Sequence, residues 1–282
     1  MQIVKLHRTA LVTTAIVVVG AVVTSILQTT LGDFPVAFFA FPMNVVVVVL
    51  WLLVLAELYR RRRESPLAKY MLSMWATYLS LILAVLCGVV VGVMGELPTH
   101  KWWFVMAILF VMSHLLLVTL RGWHNVEGVR WRFLLNHTGL LIALGAGFWG
   151  APDIAELRLP LVEGRPTSEA YVRDGKSVPL GYEMTLLDFD VAYHNNGTPS
   201  DFAARVAVAD EEVTLRVNSP YRYRWGENIY LVNYEKDLAG RTRCIVQVVR
   251  DRWATAMAVG ICMMLAGAFL MFLQGVRKGV QR

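Results

Sequence analysis

Six stretches of the chain are apolar at nearly every position, with none of the alternating polar positions of a half-buried strand. A helix that crosses hydrocarbon needs about 20 such residues, because no water is present there to satisfy its backbone. The stretches run roughly from Ala10 to Gln28, Pro35 to Tyr59, Tyr70 to Met94, Trp102 to Leu120, Trp131 to Gly150 and Trp253 to Gln274. Each is predicted to be a membrane-spanning helix. Between the fifth and sixth the pattern changes to period two. MTLLDFDV (Met184 to Val191), RVAVA (Arg205 to Ala209), VTLRV (Val213 to Val217), IYLVNY (Ile229 to Tyr234) and IVQVV (Ile245 to Val249) read as short strands. Turn chemistry at Asp174-Gly175, Asn195-Asn196-Gly197, Ser219-Pro220 and Ala239-Gly240 separates them. The expected organisation is a five-helix membrane region over residues 1–150, then a β-rich domain, sandwich or open barrel, over 151–252. A final helix with a basic tail occupies 253–282.

Composition agrees with a membrane protein: 56% of the 282 residues are hydrophobic and only 17% charged, against about 25% charged in an ordinary soluble domain. The first apolar run follows Lys5 and Arg8, as a signal peptide would. It is too long for a typical cleaved signal and is read as an uncleaved anchor. Charge then predicts orientation, since Lys and Arg concentrate on the cytoplasmic side of short loops. Residues 1–8, Arg60 to Lys69, Arg121 to Arg132 and the tail from Gly275 together hold 13 basic residues. The opposite short loops hold only Lys101. Both termini are expected in the cytoplasm of a bacterial inner membrane, and the β-rich domain outside. That domain carries 13 basic and 16 acidic residues. The net charge of +6 therefore comes from the cytoplasmic fringes, which face membrane lipid, and no nucleic-acid surface is implied.

Cys87, Cys244 and Cys262 are too scattered for a disulfide framework or a thiolate metal site. His194, Ser200 and Asp201 stand near one another in sequence, but no nucleophile-elbow motif surrounds the serine, and they read as turn residues. Asn196-Gly197-Thr198 matches a glycosylation sequon and equally a hairpin turn; the turn is preferred. The aromatic stretch from Tyr221 to Tyr234, interleaved with Arg222 and Arg224, reads as a half-buried strand pair, with a docking face as the alternative.

Histidines inside predicted spans carry more weight, because an ionisable group in hydrocarbon is costly. His137 lies five residues past Arg132, about 7 Å deeper along a helix. His114, seven residues before Arg121 on the preceding antiparallel span, reaches a similar depth. A neutral imidazole in an apolar bundle suits haem iron, and the alternative for each is a hydrogen bond between helices. For His114 the hydrogen bond is the preferred reading.

Five segments in order resemble the ResB (CcsB) family of cytochrome c biogenesis proteins: RFLLNHTGLLIALGAGFWGAPD, LRLPLVEGRP, NGTPSDFAARVAV, VNSPYRYRWGENIYLVNYE and RDRWATAMAVGICMMLAGAFLMF. They cover about residues 130–275. The resemblance implies the system II route, in which ResB-type and CcsA-type proteins carry haem b across the membrane and present it to the CxxCH thiols of apocytochrome c. It also implies that a histidine on the helix entering the outside domain ligates the haem iron, and the matching residue here is His137. The chain has no tryptophan-rich WWD segment, which belongs to the CcsA-type partner, so the resemblance implies one half of a synthase. Its two extra N-terminal helices depart from the simplest ResB layout. A transporter subunit and an anchored scaffold or sensor are the other classes considered; no span has a Gly/Pro-broken centre of the transporter kind.

Overall fold

The computed structural model describes residues 2–95, 97–123, 130–194, 196, 199–236 and 242–273. The chain divides into two compact units, one of Met1–Pro152 with Ala256–Arg282, the other of Asp153–Thr255. The helices are α1 (Gln2–Leu31), α2 (Met43–Arg60), α3 (Pro66–Met71), α4 (Met74–Met94), α5 (Trp102–Trp123), α6 (Trp131–Gly150) and α7 (Ala254–Leu273). All except the short α3 are long and apolar enough to cross a membrane, so this is a multi-pass membrane protein.

Two expected boundaries move. The second span begins at Met43 rather than near Pro35, because Pro35 and Pro42 lack the N–H that a continuous helix needs; a single 3₁₀ turn, Val36–Phe39, lies between them. The third begins at Met74, because serines open two helices where one was expected. Ser65 Oγ accepts from Ala68 N at 3.3 Å to start α3, and Ser73 Oγ accepts from Ala76 N at 3.3 Å to start α4.

Helix α5 is the hub of the bundle. Half of its apolar window is buried, against 6% for α1 and 11% for α7. Single hydrogen bonds tie it to its neighbours. Trp51 Nε1 on α2 donates to Ser113 Oγ at 3.0 Å, Tyr59 OH donates to the Leu120 carbonyl at 3.3 Å, and Arg121 reaches the Leu72 carbonyl at 2.9 Å. Helices α6 and α7 meet backbone to backbone. A Cβ added at Gly139 would lie 2.4 Å from Met264 N, and one at Gly267 would lie 2.4 Å from Asn136 N. Small residues permit this approach, and Asn136 Nδ2 donates across it to the Met264 carbonyl at 3.0 Å.

The second unit holds eight antiparallel strands: β1 (Ala155–Val162), β2 (Thr167–Tyr171), β3 (Ser177–Tyr193), β4 (Pro199–Val208), β5 (Glu211–Arg216), β6 (Tyr221–Arg224), β7 (Glu227–Lys236) and β8 (Thr242–Arg250). They form one sheet in the order β5-β4-β3-β2-β1-β8-β7-β6. Laid flat, its two edges would be about 34 Å apart. The edges β5 and β6 are nevertheless joined by residues 217–220 alone, which reach at most about 18 Å. A bridge between Arg216 and Ser219 and a 2.6 Å hydrogen bond from Tyr221 OH to Glu211 Oε2 close the gap. The sheet therefore curls into an open barrel, which decides between the two β architectures expected from sequence.

Its core is a single cluster including Leu159, Met184, Val206, Leu215, Ile229 and Val246, none with exposed surface. Alternation changes parity at two bulges. On β3, Leu180, Met184 and Leu186 face inward; past the register shift between Leu186 and Asp188 the inward residue is Phe189. On β7, Ile229 and Leu231 face inward and Val232 outward; the bulge between Leu231 and Asn233 then leaves Asn233 exposed, and Tyr234 returns to the core. The aromatic stretch thereby splits. Tyr221, Tyr223 and Tyr234 pack on the core, whereas Trp225 and Tyr230 are exposed. Of the expected turns, Asp174-Gly175 is a tight hairpin with Gly175 at φ +82°. Asn195, Gly197, Thr198 and Ala239-Gly240 lie outside the described residues.

Candidate functional site

His137 and His114 sit on neighbouring helices but are held differently. His114, on α5, is buried, and its Nδ1 lies 2.7 Å from the Met71 carbonyl at the end of α3. A carbonyl only accepts, so His114 donates from Nδ1, and this bond joins two helices.

His137, on α6, is half-buried. Its Nδ1 lies 2.9 Å from the carbonyl of Phe133, one turn earlier on the same helix. That bond fixes the Nδ1–H tautomer and leaves the lone pair on Nε2. Metal-binding histidines are commonly set up this way, with one nitrogen donating to a carbonyl and the other available as a ligand. The ring also stacks on Phe133, with centroids 3.8 Å apart and planes inclined by 29°. Phe133 in turn fits where α5 has Gly122; a Cβ there would lie 2.5 Å from the Phe133 ring. The imidazole is thus oriented through two contacts with one residue, which is seated against the next helix. Two residues further along, Gly139 brings α7 against the same helix. Neither Gly122 nor Phe133 stands out in the sequence, since an i, i+4 Phe–His pair is ordinary in an apolar helix.

Among the described residues no group of three or more His, Cys, Asp or Glu side chains is placed to hold a metal ion.

The open barrel has a polar centre that sequence reasoning missed. Glu227, at the start of β7, is almost fully buried. Its Oε1 accepts from Tyr182 OH at 2.8 Å, its Oε2 accepts from Arg224 Nε at 2.6 Å, and Arg250 Nε forms an ion pair with Oε1 at 3.1 Å without hydrogen-bond alignment. Burial, followed by the hydrogen bond to Glu227, raises the Tyr182 phenol well above its ordinary range. The buried carboxylate is held by three side chains from β3, β6 and β8, and the cluster reads as a structural brace. Asp201 pairs with Arg216 at 3.6 Å, and His194 is exposed at the end of β3.

Residues 128–245 match the model of the ResB-like family. The matched region begins just before α6, contains His137, and runs through most of the open barrel. This supports the resemblance read from the sequence and a role in cytochrome c biogenesis. No curated protein matches the chain.

Proposed function

We propose that this chain is the ResB-type half of a system II cytochrome c synthase, with His137 as an axial ligand to haem b, its cargo, during passage through the membrane. The observation that carries the reading is the tautomer of His137. Within the ResB-like region, its Nδ1 is committed to the Phe133 carbonyl, and Nε2 keeps the lone pair that iron requires. His114 is the in-chain alternative, but its interhelical bond to Met71 gives it a packing role as it stands. A CcsA-type partner carrying the WWD segment would supply the second axial histidine and the surface that presents haem to apocytochrome c. Thioether formation needs little beyond orienting reduced haem against the CxxCH thiols, since its vinyl groups carry the chemistry.

In this reading the chain lies in a bacterial inner membrane with both termini cytoplasmic and the open barrel outside. The charge asymmetry of the loops supports that orientation. A cytoplasm-dependent reporter fused within Arg60 to Lys69 should be active, and one within residues 160–190 silent; activity at the second site reverses the assignment.

The chemical test is His137→Ala in the full chain co-expressed with its partner. Normal assembly with loss of bound haem and of cytochrome c maturation is expected. His137→Cys should keep part of both, because thiolate is also an axial ligand, and added imidazole should restore haem to the Ala variant. Full haem content and maturation in His137→Ala would refute the proposal and leave the histidine a packing residue. A colourless wild-type complex would favour an anchored scaffold.

A further inference from the structure

One end of the open barrel gathers the chain's entry from α6, its exit to α7, and the tip of the β6–β7 hairpin. Ala155 and Glu227 both pair with Arg250, so the start of β1, the end of β8 and the start of β7 form one row. Three independent contacts fasten the hairpin tip to the segment that becomes α7. Gly226 adopts φ +75° and lies so close to Asp251 that a Cβ would fall 2.5 Å from its carbonyl oxygen, while Asp251 N donates to the Gly226 carbonyl at 2.7 Å. Arg250 pairs with the buried Glu227. Trp225 Nε1 donates to Thr255 Oγ1, in the first turn of α7. The tip is therefore fastened to the residues that lead into α7.

The residues around the tip have the character of a membrane interface. Trp225 is 60% exposed although its only polar atom is satisfied, so it presents a bare indole face. The Arg222 guanidinium lies 5.3 Å above that ring. Arg224 and Arg252 are also exposed and line one hollow with Trp225 and Gly226. The acidic neighbours are engaged: Glu227 is buried among its partners, Asp251 Oδ1 accepts from Trp253 N at 2.8 Å, and Asp153 accepts from Trp253 Nε1 at 2.8 Å. An exposed indole ringed by arginines, fastened to the residues that open a span, matches the headgroup layer, where amphipathic aromatics settle and arginines reach lipid phosphates.

We infer that the β6–β7 hairpin tip, Arg222 to Gly226, is a lipid-docking element that seats Trp225 in the headgroup layer and binds anionic phospholipid through Arg224 and Arg252. The hairpin would hold the barrel to the membrane surface through a contact separate from its two covalent connections.

The test uses the full-length protein in nanodiscs, with Cys262→Ser to remove the exposed thiol. A fluorophore is placed at Arg222→Cys, or at Glu163→Cys beyond the far end of β1, about 27 Å along the strand. Nitroxide-bearing headgroups in phosphatidylglycerol discs should quench the label at 222 strongly and the label at 163 weakly. Arg252→Gln should lower the docking equilibrium at 222 about fivefold, the worth of one basic residue near an anionic surface. Replacing phosphatidylglycerol with phosphatidylcholine should lower it further, and Trp225→Ala should weaken docking in both lipids. Excess inorganic phosphate should change nothing, whereas release by phosphate would reassign the hollow to a free anion. Equal quenching at 222 and 163, or quenching at 222 unchanged by lipid charge and by both substitutions, would overturn the inference. Retained circular dichroism and melting temperature in each variant exclude misfolding as the cause of a loss.

Discussion

Leucine and valine face opposite ways in the two units. In the open barrel, Leu159, Leu161 and Val246 have no exposed surface; in the helical unit, Val19 and Leu81 are each 60% exposed. The same side chains thus meet two solvents. In water the barrel must withdraw its apolar atoms into one cluster, whereas in lipid a helix loses nothing by showing them. The polar groups divide in a matching way. The helical unit is joined by isolated neutral hydrogen bonds such as Asn44 Nδ2 to the Trp149 carbonyl at 2.9 Å and Asn136 to the Met264 carbonyl. The barrel instead contains a buried carboxylate shared by a tyrosine and two arginines. Its stability is concentrated in a core and an ionic cluster, while that of the helices is spread over close backbone contacts and single bonds.

The largest expected effect tests the polar contrast. Glu227→Ala strands the Arg250 guanidinium and should destabilise residues 153–255, expressed as a domain, by about 3–5 kcal/mol in urea unfolding. Asn136→Ala in the full chain should cost only about 0.6–2 kcal/mol, the range for one interhelical hydrogen bond in a membrane. Similar losses would mean that the helical unit depends on its polar contacts as heavily as the barrel does.

The apolar contrast comes next. Leu159→Ala opens a cavity in the barrel core and should cost about 2–5 kcal/mol. Leu81→Ala, on the lipid-facing side of α4, should change the thermal stability of the reconstituted full chain by less than about 1 kcal/mol. A large loss at Leu81 would reveal a protein partner on that face.

A smaller effect uses pH. Burial pushes the Cys244 thiol from an ordinary 9.0 up to about 12. Between these values the unfolded thiol ionises and the folded one does not, so its contribution to stability is complete below pH 9 and declines above it. At pH 10 the excised domain should have lost about 1.4 kcal/mol through this group. Cys244→Ala should remove that part of the pH slope, and an unchanged slope would show that the thiol is not shielded as its burial implies.

Much of this was legible in the sequence because it follows from solvent. Apolar runs of spanning length and period-two strands between α6 and α7 are local patterns, each set by what the segment must be dissolved in. The caps at Ser65 and Ser73 were legible in principle, since each serine stands before a helix-forming run, but the continuous hydropathy across Leu72 masked the break. His137 stood out because an imidazole in hydrocarbon is conspicuous. Its orientation was not legible, since Gly122 and Phe133 acquire meaning only when α5 and α6 lie side by side. Two bulges set the parity of β3 and β7, and with it which aromatics of the Tyr221–Tyr234 stretch are core and which are surface. A bulge arises from pairing with the neighbouring strand, so it left no mark on β7 alone. The Glu227 cluster joins β3, β6, β7 and β8, and curling of the sheet brings its edges together across a four-residue link. The sequence by itself determined which segments lie in lipid and which in water, because transfer energies act residue by residue. Tertiary structure alone decided which side chains meet, because contacts between distant segments depend on register, curvature and close approach.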